Sequence, residues 1–171
     1  DLENFIINKW DEINQYILNK KAELPIPFYS SVDIRESKDK YAPVDHNMYP
    51  AGFNNLCSQD LDEAVVTIQN AIRKIDMSAK SIGIFPESHT KNLMYLDHLV
   101  TLKNTIEKSG YHVYFLSFDS NLFPQNEDFI DLLSHSGFPL KIYRANIKSG
   151  NICCLPEKID IAICNNDQSN P

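Results

Sequence analysis

Apolar residues recur at helical spacing from the start of the chain, with Leu2, Phe5, Ile6, Trp10, Ile13, Tyr16 and Ile17 on one face. This pattern predicts a helix that ends before Pro25 and Pro27, because the residue preceding a proline disfavours the helical backbone. Phe28 to Ile34 then reads as a strand, and the charged run from Glu36 to Lys40 as an exposed turn. From Ala42 to Leu56 no period survives among the prolines, glycine and asparagines, so this stretch is expected to be an irregular loop. Long loops inside compact domains are commonly functional.

At Ser58 the helical period returns. Ser58 is the expected N-cap, Asp60, Asp62 and Glu63 suit the positive end of the helix dipole, and Leu61, Val65, Ile68, Ile72 and Ile75 form the apolar face. Ser81 to Pro86 predicts a short buried strand, interrupted at Glu87 to Thr90. A second helix over 91–109 follows, with Leu93, Leu96, Leu99, Val100 and Ile106 inward and Gly110 as its stop. Tyr111 to Ser117 predicts a strand, Asn126 to Ser134 a short helix, and Leu140 to Arg144 another strand. Asn146 to Leu155 reads as a hairpin turning at Ser149-Gly150, and Lys158 to Cys164 as a last strand. Strands alternating with helices predict an α/β fold, a mostly parallel Rossmann-like sheet with helices on both faces and room for one antiparallel hairpin. After the last strand no covering helix follows, although a parallel sheet is normally buried on both faces. The chain is therefore expected to be part of a longer fold; an edge strand followed by an ordinary C-terminus is the alternative.

Composition narrows the function classes. With 171 residues and 43% hydrophobic positions the chain fits one globular domain with a real core. Sixteen Lys and Arg are scattered among twenty-three Asp and Glu, for a formal charge of −7, which argues against nucleic acid as a partner. No apolar run approaches a membrane span, and the acidic, amphipathic opening stretch is not expected to act as a targeting peptide. Cys57, Cys153, Cys154 and Cys164 form no CxxC pair, so reduced thiols in a cytoplasmic protein are expected, with Cys153-Cys154 in the core. The histidines have no metal-ligand spacing, and no metal site is assigned. GxxxxGK[ST], GxGxxG and GxSxG motifs are all absent from the sequence. Oligomeric state is left open.

Candidate chemistry lies at the ends of the predicted strands, where parallel sheets bind ligands. Asp33 and Arg35 close the first strand, Glu87, His89 and Thr90 the second, and Asn165, Asn166 and Asp167 the last; the loop Asp45 to Asn55 is placed to cover them. Together these suit a small zwitterion. Arg35 can grip a carboxylate with two donors, the acidic residues an ammonium, and the helix beginning near Thr90 offers free backbone N–H groups. Singly, each cluster is explained better as an ordinary turn or cap. His89 alone reads as structural, and as a site residue only beside Glu87, Thr90 and Asn92.

Two stretches carry a family resemblance. Ser30-Ser31-Val32-Asp33-Ile34-Arg35, followed by Ala42-Pro43-Val44-Asp45-His46-Asn47-Met48-Tyr49-Pro50-Ala51-Gly52-Phe53-Asn54-Asn55-Leu56, resembles the opening motif of proteobacterial glutamate–cysteine ligases of the ATP-grasp type. Pro86 to Leu96 resembles that family's second motif, and Asn165-Asn166-Asp167-Gln168-Ser169 a third. Lys38, Asp39, Ser88 and Gln168 depart from the pattern. The resemblance covers nearly the whole chain but only about the first two-fifths of such a ligase, a length that suggests more than one domain. It implies a substrate-side, pre-ATP-grasp domain over 1–171, with the ATP-binding domain downstream. It implies synthesis of γ-glutamylcysteine from glutamate and cysteine with ATP and Mg²⁺, through an acyl phosphate of the glutamate side chain. No cofactor is expected to bind this part tightly or to be turned over by it alone, and its catalytic residues are unassigned. The substrate-binding residues so implied are Asp33, Arg35, Asp45, Asn47, Asn54, Asn55, Glu87, His89, Thr90, Asn92, Asn166 and Asp167. Two alternatives remain: a non-catalytic binding or regulatory module of the same ancestry, and a related ligase acting on another amino acid.

Overall fold

The computed structural model describes residues 2–38, 40–49, 51–87, 92–125, 127–154 and 157–166. Its central feature is a five-stranded sheet. In chain order its strands are β3 (Ser81–Pro86), β4 (His112–Ser117), β5 (Phe129–Leu133), β6 (Pro139–Arg144) and β10 (Ile161–Asn165), arranged in space as β10-β3-β4-β6-β5. The pairs β10/β3, β3/β4 and β4/β6 are parallel, and β5 lies antiparallel on β6. The predicted α/β class holds; the mostly parallel expectation is met in three of the four pairs of this sheet, while the two smaller sheets among the described residues are antiparallel.

Two helices cover one face. These are α3 (Ser58–Ile75) and α4 (Leu93–Lys108), close to the predicted ranges. Ile68 and Ile72 of α3 and Leu96, Leu99, Leu102 and Ile106 of α4 pack on Ile82, Ile84, Val113, Phe115 and Ile142 of the sheet. Each fully buried side chain of this kind contributes roughly 1.5–3 kcal/mol, so this layer dominates the stability. Gly110, at φ +99°, ends α4 as expected. The cap of α3 is Cys57 rather than Ser58; its thiol accepts the Asp60 N–H at 3.5 Å. Leu93 is exposed, and Leu102 takes the inward position.

The expectation of helices on both faces is corrected among the described residues. The second face is covered by a small antiparallel sheet of β7 (Asn146–Lys148), β8 (Asn151–Cys154) and β9 (Glu157–Lys158). Phe85, Leu116, Ala145, Cys154 and Ile159 form the core there. The predicted hairpin turn at Ser149-Gly150 is present, with both residues at positive φ as a two-residue hairpin loop requires. Cys154 is buried as expected, which pushes its thiol up to about 11. Asp160 fixes where β10 meets β3: its carboxylate accepts the N–H of Lys80 at 2.9 Å and of Ser81 at 3.1 Å, which holds its pKa below the usual range.

Gly83 turns toward the core on the second face. A Cβ there would sit 2.5 Å from Leu116 Cδ1 and 2.9 Å from Ile159 Cγ2, both on buried side chains. Gly83→Ala is expected to cost about 1–3 kcal/mol by overpacking, measured by urea unfolding. A variant as stable as the parent would show that Leu116 and Ile159 make room for the methyl without cost.

Three further expectations change. Residues 129–133 form β5, not a helix: Ile130 and Leu132 pack inward while Asp131 and Leu133 face solvent. A run this short fits either period, and the tight turn that closes it, with Gly137 at φ +81°, decides for a strand. The expected first strand begins three residues later, as β1 (Ser31–Glu36), and half of the expected loop is β2 (Tyr41–Asn47). The two pair only with each other, antiparallel and largely exposed, so β1 does not join the main sheet. Pro43 is tolerated because neither strand has a second neighbour, and the register shifts beside it, between Asp33 and Ile34. Finally, the amino-terminal helix is two segments, α1 (Leu2–Asn8) and α2 (Trp10–Glu23), with no buried residue. Its apolar face, including Phe5 and Trp10, is exposed.

Candidate functional site

The parallel register pairs Phe85 with Cys164 and Pro86 with Asn165, so β3 and β10 end side by side at one edge of the sheet. The start of α4 lies over that edge. Asn92 caps the helix, its Oδ1 accepting the N–H groups of Met94 at 3.1 Å and Tyr95 at 3.4 Å. Tyr95 and His98, nearly one turn apart, are buried on α4 beside Leu96, Leu99 and Leu102.

Three separate segments are tied to these two side chains, and a fourth joins through Asn165. The Tyr95 hydroxyl accepts the Glu87 N–H at 3.0 Å, just past the end of β3. His98 Nδ1 accepts the N–H of Phe53 at 3.2 Å, which anchors the 3-10 turn Phe53–Asn55 on α4. The amide of Asn165, fully buried at the end of β10, lies 3.1 Å from the Tyr95 hydroxyl and 3.5 Å from His98 Nε2. The other end of that amide meets the hydroxyl of Tyr29, two residues before β1. Aromatic contacts reinforce the cluster: Tyr29 on Phe53 at 5.7 Å edge to face, and Tyr95 beside His98 at 5.4 Å. Asn166 Nδ2 also donates to the Pro86 carbonyl at 3.3 Å.

Burial sets the charge state of the cluster. It lowers the pKa of His98 to about 4, so the imidazole is neutral near pH 7, and it pushes both Tyr29 and Tyr95 up, so both phenols keep their protons. The result is a neutral hydrogen-bonded floor under a rim of polar side chains. Beside it, an apolar groove of about 310 Å³ runs along β10 between Tyr29, Tyr49 and Ile75.

The predicted residues divide into three sets. Glu87, Asn92 and Asn166, with the turn that carries Asn54 and Asn55, come together at this edge. Asp33, Arg35, Asp45 and Asn47 stand on the β1–β2 hairpin instead, all exposed: Asp33 and Arg35 do not close a strand of the parallel sheet as the sequence suggested, and Asp45 and Asn47 lie on a strand rather than in a covering loop. Asn47 pairs with Ser31 at the hairpin base, close in sequence to Tyr29, whereas Arg35 lies four residues further out. Asp33 and Asp45 are directly opposite each other across the hairpin. His89, Thr90 and Asp167 lie outside the described residues. The hub residues Tyr29, Tyr95 and His98 were not among the predicted site residues. The one signal for them was a tyrosine and a histidine three positions apart on the apolar stripe of a helix.

An α/β chain whose polar loops meet at the carboxyl ends of adjacent parallel strands has the build of a small-ligand-binding domain. The sequence model of the GshA family, described as glutamate-cysteine ligase, matches residues 3–171, and the chain belongs to that family. A solved structure bearing the provisional description of a gamma-glutamylcysteine synthetase, from Methylobacillus flagellatus KT, superposes with a TM-score of 0.85 at 28% sequence identity. The superposition covers 97% of this chain and 38% of that one. No curated protein sequence matches the chain significantly.

Proposed function

We propose that this chain is the amino-acid-side portion of an ATP-dependent glutamate–cysteine ligase, acting in the cytoplasm in the first step of glutathione biosynthesis. The observation that carries the reading is the family match over residues 3–171, because the loops that converge at the sheet edge lie within it. The rim chemistry supports an amino-acid ligand. Asn54, Asn55 and Asn166 offer neutral donors and acceptors, and Glu87 offers a carboxylate to an ammonium group. On the hairpin, the opposed carboxylates of Asp33 and Asp45 repel each other unless a cation lies between them, which an amino-acid ammonium supplies. Arg35 is a fork for a carboxylate.

In a complete ligase, bound ATP and Mg²⁺ supply the activation of the glutamate carboxylate. Among the described residues no three His, Cys, Asp or Glu gather as metal ligands, and no phosphate loop is present in the sequence. No nucleotide step is therefore assigned to them. What these residues do is bind and orient, and held geometry is a large part of ligase catalysis.

The test is to incubate the complete protein with ATP, Mg²⁺, glutamate and cysteine, and to measure dipeptide by mass spectrometry. γ-Glutamylcysteine formed in step with ADP supports the reading; a preference for another amino acid, or no product, overturns it. In the same assay Arg35→Lys should raise KM for one amino acid about tenfold, because lysine loses the two-donor fork and a charge-assisted hydrogen bond is worth about 1.5–3 kcal/mol. Unchanged constants for both amino acids would remove Arg35 from the site.

A further inference from the structure

The buried cluster under the rim has a proton arithmetic with one satisfactory solution. The Phe53 N–H can only donate, so His98 Nδ1, 3.2 Å away, must be bare. A neutral imidazole then carries its proton on Nε2, and that N–H points at the Asn165 amide 3.5 Å away. An NH₂ group there would set donor against donor. Tyr95 favours the same solution without requiring it, since its oxygen has a second lone pair. Its hydroxyl already accepts the Glu87 N–H at 3.0 Å, so its own proton needs an acceptor, and the Asn165 amide is 3.1 Å away. The two ends of an amide have the same shape; as placed, Nδ2 faces Tyr95 and His98 while Oδ1 accepts from the Tyr29 hydroxyl, and the proton count around it calls for the reverse. With Oδ1 turned toward α4, its two lone pairs receive the Tyr95 and His98 protons. Nδ2 then donates to the Tyr29 hydroxyl on the other side.

We propose that Tyr95, His98 and Asn165 are positioning residues for the amino-acid site, joined in one network of fixed proton direction. From this hub hang four segments: the entry to the β1–β2 hairpin at Tyr29, the Asn54–Asn55 turn at Phe53, the Glu87 loop, and the end of β10 beside Asn166. Two of the four anchors are backbone N–H groups of the loops themselves, Phe53 and Glu87, and a side-chain acceptor holds each one. A side chain that accepts from a loop's backbone sets where the loop sits without touching a ligand. That is a different role from filling the core, and its energetic signature differs. Loss of the acceptor shifts ligand affinity more than turnover, because the loop is misplaced while the reacting groups are unchanged.

The proposal rests on the ligase reading for its kinetic arm and stands apart from it in its spectroscopic arm. In ¹⁵N-labelled protein, two-bond proton–nitrogen correlation of the His98 ring should show Nε2 protonated and Nδ1 bare, unchanged between pH 8 and pH 6. In the complete enzyme Tyr95→Phe should raise KM for an amino-acid substrate about tenfold, the effect of one unsatisfied buried N–H, with kcat within about twofold. His98→Asn can place Oδ1 where Nδ1 was, and should recover most of the KM that His98→Leu loses. A proton on Nδ1, equal KM losses in His98→Asn and His98→Leu, or a Tyr95→Phe enzyme with parental KM overturns the proposal. A parent enzyme without ligase turnover would contradict the function proposed above, while the ring spectrum would still decide the network.

Discussion

Replacing Asn165 with leucine is expected to cost the chain about 3 kcal/mol of folding stability, although the two side chains are close in size. Asn165 is fully buried at the end of β10, and its amide lies against Tyr95, His98 and Tyr29. Leucine would leave the Tyr95 hydroxyl proton and the His98 Nε2–H buried without an acceptor, at about 1–3 kcal/mol each, although both side chains keep the N–H groups they accept. Added apolar burial offsets part of this, about 1 kcal/mol. Tyr29, which is half-buried, can turn to water and adds little. Urea unfolding followed by circular dichroism measures the difference; fluorescence of Trp10 would report poorly, because that side chain is exposed at 56%. Cys164→Ser, one residue earlier and exposed, should stay within about 0.5 kcal/mol of the parent. A loss under 1 kcal/mol for Asn165→Leu would mean that the hub is not closed to water.

Acid should destabilise the fold in two separable steps, and His98 sets the first. Its pKa is lowered from 6.5 to about 4 by burial, so between those values the unfolded chain binds a proton that the folded chain refuses. Stability is fully present above pH 6.5, falls as the pH drops through this window, and has lost about 3 kcal/mol near pH 4. Below that, the carboxylates follow with the opposite kind of shift. Asp97, held down by the hydroxyl of Ser134, and Asp160, held down by the N–H of Lys80, contribute stability above about pH 3.8 that disappears as they protonate. Denaturant midpoints from pH 8 to pH 4 should therefore slope in the parent and be nearly flat in His98→Asn over the same range. Equal slopes would place the proton uptake on some other group.

The legibility of this chain followed from where its periodicity had a core to answer to. α3, α4, β3 and β4 were readable because each presents a continuous apolar face to one buried layer, so pattern and burial agree. The β1–β2 hairpin was not, since with both faces exposed no alternation is imposed on it. Residues 129–133 were misread because so short a run of Ile, Leu and Phe satisfies both periods. The apolar face of α1 and α2 was legible as a pattern, yet it is exposed; periodicity reports which residues share a side, not what covers that side. For the site, the edge formed by β3 and β10 was predictable from the rule for parallel strands, and it does gather Glu87, Asn92 and Asn166. The rule failed for Asp33 and Arg35 because it presumes membership of the sheet. Tyr95 and His98 were hidden for a different reason: on a mostly apolar stripe, a buried tyrosine or histidine looks like core until the third dimension supplies its partners.

Amide shift mapping with glutamate, then cysteine, tests most directly whether the edge at β3 and β10 is the amino-acid site. The expected result is a set of saturable shifts concentrated at Asn54, Asn55, Glu87, Asn92 and Asn166, with α1, α2 and the outer face of α3 unmoved. Saturable shifts confined to those helices, with the five rim residues silent, would place the ligand elsewhere and contradict the site.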